Sequence, residues 1–366
     1  MKFSTSRESL LRPLQAVIGV VERRQTMPIL SNVLLVVTDQ GLSVTATDLE
    51  VELVARSVPD DISSSGEITV PARKLLDICR ALPEDAVIKL QLDGDRLVVR
   101  AGRSRFVLST LPAADFPVID DIQADRTLKL SQSDTSELLD KTHFAMAQQD
   151  VRYYLNGLLL ETGAGFVRAV ATDGHRLALC EVPLEDTGDD AQQVIIPRKG
   201  VLELQRLLGS GEEIELAIGS NHIRAELGNI RFTSKLIDGR FPDYERVIPV
   251  LGDNILMASR DSLRQSLQRA AILSNEKYRG IRLELAPKQV KIQANNPDQE
   301  EAQDELEVDY DGDAMEIGFN VNYLLDALGA VESEEVQIGF VDANSSCVIQ
   351  APGAQRARYV VMPMRL

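Results

Sequence analysis

The chain has 366 residues, 44% of them apolar, enough for two or three domains that each bury a core. No stretch approaches the ~20 apolar residues that span a bilayer, and Met1-Lys2-Phe3-Ser4-Thr5 lacks the basic start and apolar run of a signal peptide, so a cytoplasmic location is expected. A net charge of −17 opposes general nucleic-acid binding, a 4% aromatic content opposes extensive base stacking, and the isolated Cys79, Cys180 and Cys347 fit neither a disulfide framework nor a zinc site.

In chain order, the first element expected is an amphipathic helix over 6–24, with Leu10, Leu11, Leu14, Val17, Ile18 and Val21 on one face and Pro13 placed to kink or break it. Strand alternation follows at Leu42-Ser43-Val44-Thr45-Ala46 and runs into Ala46-Thr47-Asp48. A second helix is expected over 71–82, introduced by Val70-Pro71-Ala72-Arg73-Lys74. Arg96, Arg100, Arg103 and Arg105, interleaved with Phe106 and Leu108, lead to Ser109-Thr110-Leu111 and Phe116-Pro117.

The same succession then begins again. Ser136-Glu137-Leu138-Leu139 starts a helix within 133–149, and Ala171-Thr172-Asp173 returns 125 residues after its first copy. Ile196-Pro197-Arg198-Lys199 introduces a helix over 197–209, Ile214-Glu215-Leu216-Ala217-Ile218 alternates as a strand, and Ser234-Lys235-Leu236 precedes Phe241-Pro242. A third round opens with Ser259-Arg260-Asp261-Ser262-Leu263, 253 residues after Ser6-Arg7-Glu8-Ser9-Leu10, and predicts helices over 260–279 and 320–330. Ala294-Asn295-Asn296 stands at the turn position, followed by the acidic run Asp298, Glu300, Glu301, Asp304 and Glu305.

Four markers recurring in one order at a period near 125 divide the chain into modules 1–125, 126–252 and 253–366, each the size of a domain rather than a solenoid unit. Two helices per module on mostly antiparallel strands define an α+β plan. Thr172, Asp173 and His175 invite a catalytic reading, with Asp173 and His175 as an acid/base pair. Yet Asp173 occupies the position of Asp48 and Asn296, which argues for turn geometry in every module. No nucleophile, phosphate-loop or zinc-protease motif is present. Neither an enzyme nor a cofactor is expected.

Thr172-Asp173-Gly174-His175-Arg176-Leu177, Val151-Arg152-Tyr153-Tyr154-Leu155-Asn156-Gly157, Leu111-Pro112-Ala113-Ala114-Asp115-Phe116-Pro117, Ser274-Asn275-Glu276-Lys277 and the terminal Val361-Met362-Pro363-Met364-Arg365-Leu366 resemble the bacterial sliding clamps, the β subunits of replicative DNA polymerase III. The resemblance covers the whole chain. It implies a homodimeric head-to-tail ring that tethers polymerase to DNA and receives short motifs of the polymerase, the clamp loader and other replication and repair proteins.

Charge and size agree with that implication. The six predicted helical segments carry a net +6, which leaves −23 on the rest of the chain, so a surface lined by helices would be basic and the outside acidic. Six helices in a circle would leave a hole of roughly 7 Å and twelve roughly 25 Å, given packing about 8–10 Å apart. Duplex DNA, with grooves ~8 Å deep from each side, passes only the larger, so a ring on DNA needs two chains. The alternative is a monomeric peptide-binding scaffold that never encircles DNA.

Three sets of site residues follow. On the helices, Arg24, Arg73, Lys74, Arg80, Arg198 and Lys199 are the expected phosphate contacts, holding DNA without reading its sequence. The resemblance adds Gln149, Tyr153 and Tyr154, although both tyrosines fit an ordinary strand equally well. For the ring contact, Arg96, Arg103, Arg105, Phe106 and Leu108 would face the acidic Glu300, Glu301 and Asp304; the resemblance adds Ile272 and Leu273, and the acidic run fits a solvated loop as well. The third set comes from the resemblance alone. An apolar partner cleft would be lined by Leu155, Thr172, Gly174, His175, Arg176, Leu177, Pro242, Arg246, Val247, Val360 and Met362. A neighbouring subsite would use Asn320, Tyr323, Ser346, Pro363, Met364 and Arg365.

Overall fold

A serine opens the first helix of each module, because its side-chain oxygen satisfies an amide that the first turn leaves unpaired. Ser6 accepts from Ser9 N at 3.1 Å and opens α1 (Arg7–Val17). The second helix of that module, α2 (Ala72–Ala81), follows Pro71. Ser131 accepts from Asp134 N at 2.8 Å and opens α3 (Gln132–Asp140), and α4 spans Arg198–Leu207. Ser259 accepts from Ser262 N at 3.4 Å before α5 (Arg260–Ala271), and Asn320 from Asn322 N at 2.9 Å before α6 (Val321–Ala330). The computed structural model describes residues 1–21, 27–119, 122–184, 191–209, 211, 213–353 and 356–365.

Two expectations are corrected here. The middle copy of the first helix begins at Gln132, and Ser136 lies a turn inside it. Pro13 does not break α1; it is buried in the helix beside Leu10, Leu11, Leu14 and Val17, and packing of that stripe holds the helix across the missing amide. The first helices also end earlier than their periodicity suggests, α1 passing into a 3₁₀ turn at Ile18–Val20 and α3 being followed by one at His143–Ala145.

The residue after each serine cap has a second task that the repeat conceals. Arg7 Nε donates to Cys79 O at 2.8 Å, and an Arg260 guanidinium nitrogen donates to Val331 O at 2.8 Å. In the middle module Gln132 Oε1 instead accepts from Gly209 N at 2.9 Å. In all three, the first turn of one helix is tied to the end of the second, where orphan backbone groups need partners.

The described residues gather into two units, one of Met1–Thr135 with Lys199–Leu236 and one of Ser136–Arg198 with Ile237–Leu366. The first unit holds a five-stranded sheet ordered Asp61–Ser64, Lys2–Ser6, Val87–Asp93, Arg96–Ala101, Ser104–Ser109. Its eight-stranded sheet joins Arg126–Ser131, Glu213–Ile218, His222–Leu227 and Ile230–Lys235 to Val51–Ser57, Gly41–Thr47, Asn32–Thr38 and Gly66–Pro71. The seam is the antiparallel pair Ile230–Lys235 with Val51–Ser57, in which Phe232 lies opposite Leu53.

The second unit repeats the scheme. Gln192–Pro197, Gly157–Gly163, Phe166–Thr172 and Arg176–Pro183 continue into Ala357–Val361, Cys347–Gln350, Glu335–Gly339 and Ile255–Ser259. A four-stranded sheet runs Glu301–Glu307, Gln289–Asn295, Gly280–Ala286, Met315–Asn320. All three cysteines are buried and free, and burial pushes each thiol up to about 12.

One buried carboxylate makes stability depend on pH. Glu52, 4% exposed on Val51–Ser57, accepts from Ile119 N at 2.8 Å. Burial raises its pKa, outweighing the Ile119 amide and the charges of Arg224 and Arg231, which lower it. The folded chain therefore takes up this proton at a higher pH than the unfolded chain, and the group's contribution to stability grows as pH falls through its folded pKa. Glu52→Gln should remove that component. Urea midpoints of parent and variant should differ by different amounts at about pH 7 and about pH 5, and an identical difference at both would contradict the assignment.

Candidate partner-binding cleft

The Thr-Asp motif is a turn. Asp48 Oδ1 accepts from Glu50 N at 2.9 Å and Val51 N at 2.7 Å, and Asp173 Oδ1 from His175 N at 2.9 Å and Arg176 N at 3.0 Å. Asn296 Oδ1 does the same for Asp298 N at 3.1 Å and Glu300 N at 3.0 Å. Thr47 and Thr172 each donate to a backbone carbonyl four residues on and accept from an amide two residues on. The would-be catalytic carboxylate is thus occupied in holding its own loop. Gly174, at φ +87, sits where a Cβ would lie 3.0 Å from the Arg152 guanidinium, so both the backbone conformation and the space favour glycine.

This turn launches Arg176–Pro183, which pairs antiparallel with Ala357–Val361 so that Leu177 lies opposite Val360. Over that floor pass Tyr153–Asn156 and Tyr244–Val247, both 3₁₀ turns. They enclose a cavity of about 150 Å³ lined by Leu155, Thr172, Gly174, Arg176, Leu177, Pro242, Val247, Val360 and Met362, nine of the residues expected there. Arg152, Tyr154, Asp243 and Tyr244 complete the lining. A volume of about 150 Å³ is room for a benzene-sized group, and the mostly apolar lining suits a Leu or Phe side chain of a partner.

His175 and Arg246 do not line it. His175 is exposed, and its carbonyl accepts from Met362 N at 2.9 Å; Arg246 is turned outward in an ion pair with Asp243 at 2.7 Å. The terminal segment is anchored again by Met364 N on Gly318 O at 2.9 Å, which holds Met362 as a wall. Of the neighbouring subsite, Asn320 is engaged in capping α6, Tyr323 stacks under Arg176 at 4.6 Å, and Ser346, Pro363, Met364 and Arg365 lie outside the cavity lining.

Arg176 is the pin of the site. It donates to Asp326 at 2.5 Å, Asp173 at 3.2 Å and Phe144 O at 2.7 Å, and its planar group also lies over Phe144 at 5.5 Å. Arg152 donates to Asp150 at 2.8 Å and 3.0 Å and reaches Asp173 O at 3.3 Å; its side chain and amide pull the Asp150 carboxyl down to about 2. Behind the cleft, the Tyr244 hydroxyl donates to Glu161 and accepts from Arg168 at 2.6 Å, and Arg168 also holds Glu181 at 2.6 Å. The Arg152-Tyr153-Tyr154-Leu155 and Phe241-Pro242-Asp243-Tyr244 runs carry the signal for the missed lining residues, an aromatic beside Leu or Pro in a loop.

The expected contact residues fall on two sheet edges. Among the described residues, Ser104–Ser109 pairs only with Arg96–Ala101 and Glu301–Glu307 only with Gln289–Asn295, so each leaves one side of its backbone without a strand partner there. Arg96, Arg103 and Arg105 are exposed on or beside the first edge, and Phe106 is half-buried. Leu108 is 7% exposed and turned into its own core, which leaves Val107, 43% exposed, as the outward apolar residue. On the acidic edge Glu300 and Glu301 are exposed, while Asp304 already accepts from Ser266 at 2.8 Å and Arg269 at 2.6 Å. Ile272, just past α5, is 76% exposed and Leu273 half-buried.

The basic set is only partly free. Lys74 and Arg80 are exposed, as is Arg73, which also donates to Val21 O at 3.0 Å. Lys199 forms an ion pair with Asp48, and Arg198 reaches Met146 O at 3.4 Å. Gln149 and Tyr153 are exposed, whereas Tyr154 packs against Tyr153 and lines the cleft. Arg24 lies outside the described residues.

Repeated modules on antiparallel sheets, carrying an apolar cleft and a carboxylate spent on a turn, define a protein that binds rather than reacts. Family models for the N-terminal, central and C-terminal domains of the DNA polymerase III beta subunit match residues 1–120, 129–243 and 245–365. The beta sliding clamps of Pseudomonas putida and Escherichia coli K12 are 58% and 55% identical to this chain, with all of each chain covered. The crystal structure of the DNA polymerase III subunit beta from Pseudomonas aeruginosa, 56% identical, covers both chains fully at a TM-score of 0.98, and a sliding clamp of that organism bound to griselimycin at 0.97. The chain belongs to the DNA polymerase III beta subunit family, the non-enzymatic sliding clamps of DNA replication.

Proposed function

We propose that this chain pairs head-to-tail into a ring around duplex DNA, in the cytoplasm, and that the cavity beneath Tyr244 is where short apolar motifs of the polymerase, the clamp loader and repair proteins dock. The observation that carries the docking site is convergence: Leu155, Leu177, Pro242, Val247, Val360 and Met362 come from segments scattered over some two hundred residues and line one apolar hollow. No helix among the described residues is long and apolar enough to cross a membrane. A methionine wall on an anchored tail suits a groove that accepts many sequences, because the thioether side chain adapts its shape. The three modules 1–125, 126–252 and 253–366 remain the repeat-based division of the chain.

Met362→Ala should weaken binding of a labelled peptide built from Gln, Leu and Phe by about tenfold to a hundredfold, the cost of one truncated buried contact. Dimerisation and retention on circular DNA should be unchanged. Fluorescence anisotropy is the measurement, and parental affinity in the variant would remove the cavity from the binding site.

The DNA surface has its own test. The exposed Arg73, Lys74 and Arg80 reach solvent on α2, and replacing all three with Ala should flatten the dependence of log affinity on log salt by up to about 3 while leaving peptide binding alone. An unchanged slope would place DNA elsewhere. The monomeric-scaffold reading is disfavoured by the family and would be revealed by a native mass of one chain.

A further inference from the structure

We infer that the cleft continues past Tyr244 into a second compartment, which takes a carboxylate of the bound peptide on Arg358. This rests on the peptide-cleft reading above and extends it to the residues flanking the apolar anchor. The floor is continuous: two residues beyond Leu177 and Val360, on the same face of the same two strands, Leu179 lies opposite Arg358. There a second hollow of about 400 Å³ opens, lined by Leu179, Ile248, Leu251, Val348 and Arg358, and Tyr244 is the wall it shares with the first. Two residues of strand span about 6–7 Å, so a peptide seated in the first cavity reaches the second with its next two residues.

The charge in this compartment decides what it takes. Arg168 is matched by Glu161 at 3.2 Å, Glu181 at 2.6 Å and Glu245 at 3.5 Å, so its charge is spent within the chain. Arg358 is exposed, and among the described residues no hydrogen bond or ion pair engages its guanidinium. On a chain of net charge −17 an acidic peptide is repelled by most of the surface; of the charged side chains lining this hollow, Arg168 and Glu245 pair with each other, which leaves Arg358 as the charge that meets the peptide. An Asp or Glu side chain and a free chain terminus offer the same carboxylate.

The test compares labelled peptides by anisotropy at low salt. The core probe is acetyl-Gln-Leu-Leu-Leu-Phe-amide, and the extended probes add Ser-Glu-amide, Ser-Gln-amide or Ser-Ala with a free carboxylate, with Glu-Ser and Gln-Ser also added at the other end. At least one carboxylate-bearing probe should bind the parent about threefold to tenfold more tightly than its neutral counterpart, and which one identifies the source. Arg358→Gln should erase that preference without changing the affinity of the core probe, and Arg358→Lys should restore part of it. Absence of any preference in the parent, or its survival in Arg358→Gln, overturns the inference. Met362→Ala separates the two readings: if it leaves the core probe bound as before, the first cavity is the assignment that has failed.

Discussion

Ile272→Ala combined with Leu273→Ala should yield folded monomers in place of the dimeric ring. Ile272 is 76% exposed just past the end of α5, an apolar side chain that the described residues leave mostly uncovered, and Leu273 beside it is half-buried. A head-to-tail ring of two chains has two equivalent contacts, so the double variant loses four side chains from the assembly. At about 1–2 kcal/mol for each truncated apolar group, the loss is about 4–8 kcal/mol, a weakening of roughly three to six orders of magnitude. Sedimentation at micromolar concentration should find single chains that no longer stay on circular DNA yet bind peptide normally. An intact dimer would move the contact away from Ile272 and Leu273. The arginine edge at Ser104–Ser109 and the acidic edge at Glu301–Glu307 would then have to associate without this apolar support, which rim charge alone does poorly.

Arg168→Met should destabilise the second unit by about 3 kcal/mol, because it leaves partly buried carboxylates without their counter-charge. The side chains of Arg168 and Glu161 are 19% and 14% exposed, and Glu181 is 35% exposed, so solvent screens this cluster only in part. The Tyr244 hydroxyl is held between Arg168 and Glu161, and burial with the Glu161 hydrogen bond drives its pKa upward. Losing Arg168 therefore loosens the residue that walls the cleft, and peptide affinity should fall together with the urea midpoint. Adding Glu161→Gln and Glu181→Gln to Arg168→Met should recover much of the stability, since the uncompensated charges are then gone. A triple variant as unstable as the single one would show that packing of the arginine stem, rather than its charge, holds the cluster.

Short-range chemistry was legible in this sequence at the caps of the first and third modules and at the three Asx turns. Ser6 and Ser259 mark helix starts because they satisfy amides three residues on, and Asp48, Asp173 and Asn296 mark turns because each oxygen finds amides within four residues. Alternation placed Gly41–Thr47 and Glu213–Ile218, and recurrence of these local signals was enough to count three modules. Pro13 departs from its propensity because its buried stripe packs and the helix persists, whereas Ser136 is interior to its helix because Ser131, ahead of it in the chain, supplies the capping oxygen.

By itself, then, the sequence determined the α+β repeat, the helix starts at Ser6 and Ser259, the turn role of Asp173 and, through its family motifs, nine of the residues that line the hollow at Leu177. Only the tertiary structure decided that the middle stretch of chain contributes strands to two different sheets, pairing Ile230–Lys235 with Val51–Ser57 and Arg176–Pro183 with Ala357–Val361. It also decided that Lys199 is held by Asp48, that Leu108 turns inward while Val107 faces out, and that Tyr154 belongs to the cleft. The physical reason is range. A cap or turn is settled by groups a few residues apart, whereas a sheet seam, an ion pair or a cavity wall depends on which distant segments close on one another, and a pattern of neighbours along the chain carries no record of that closure.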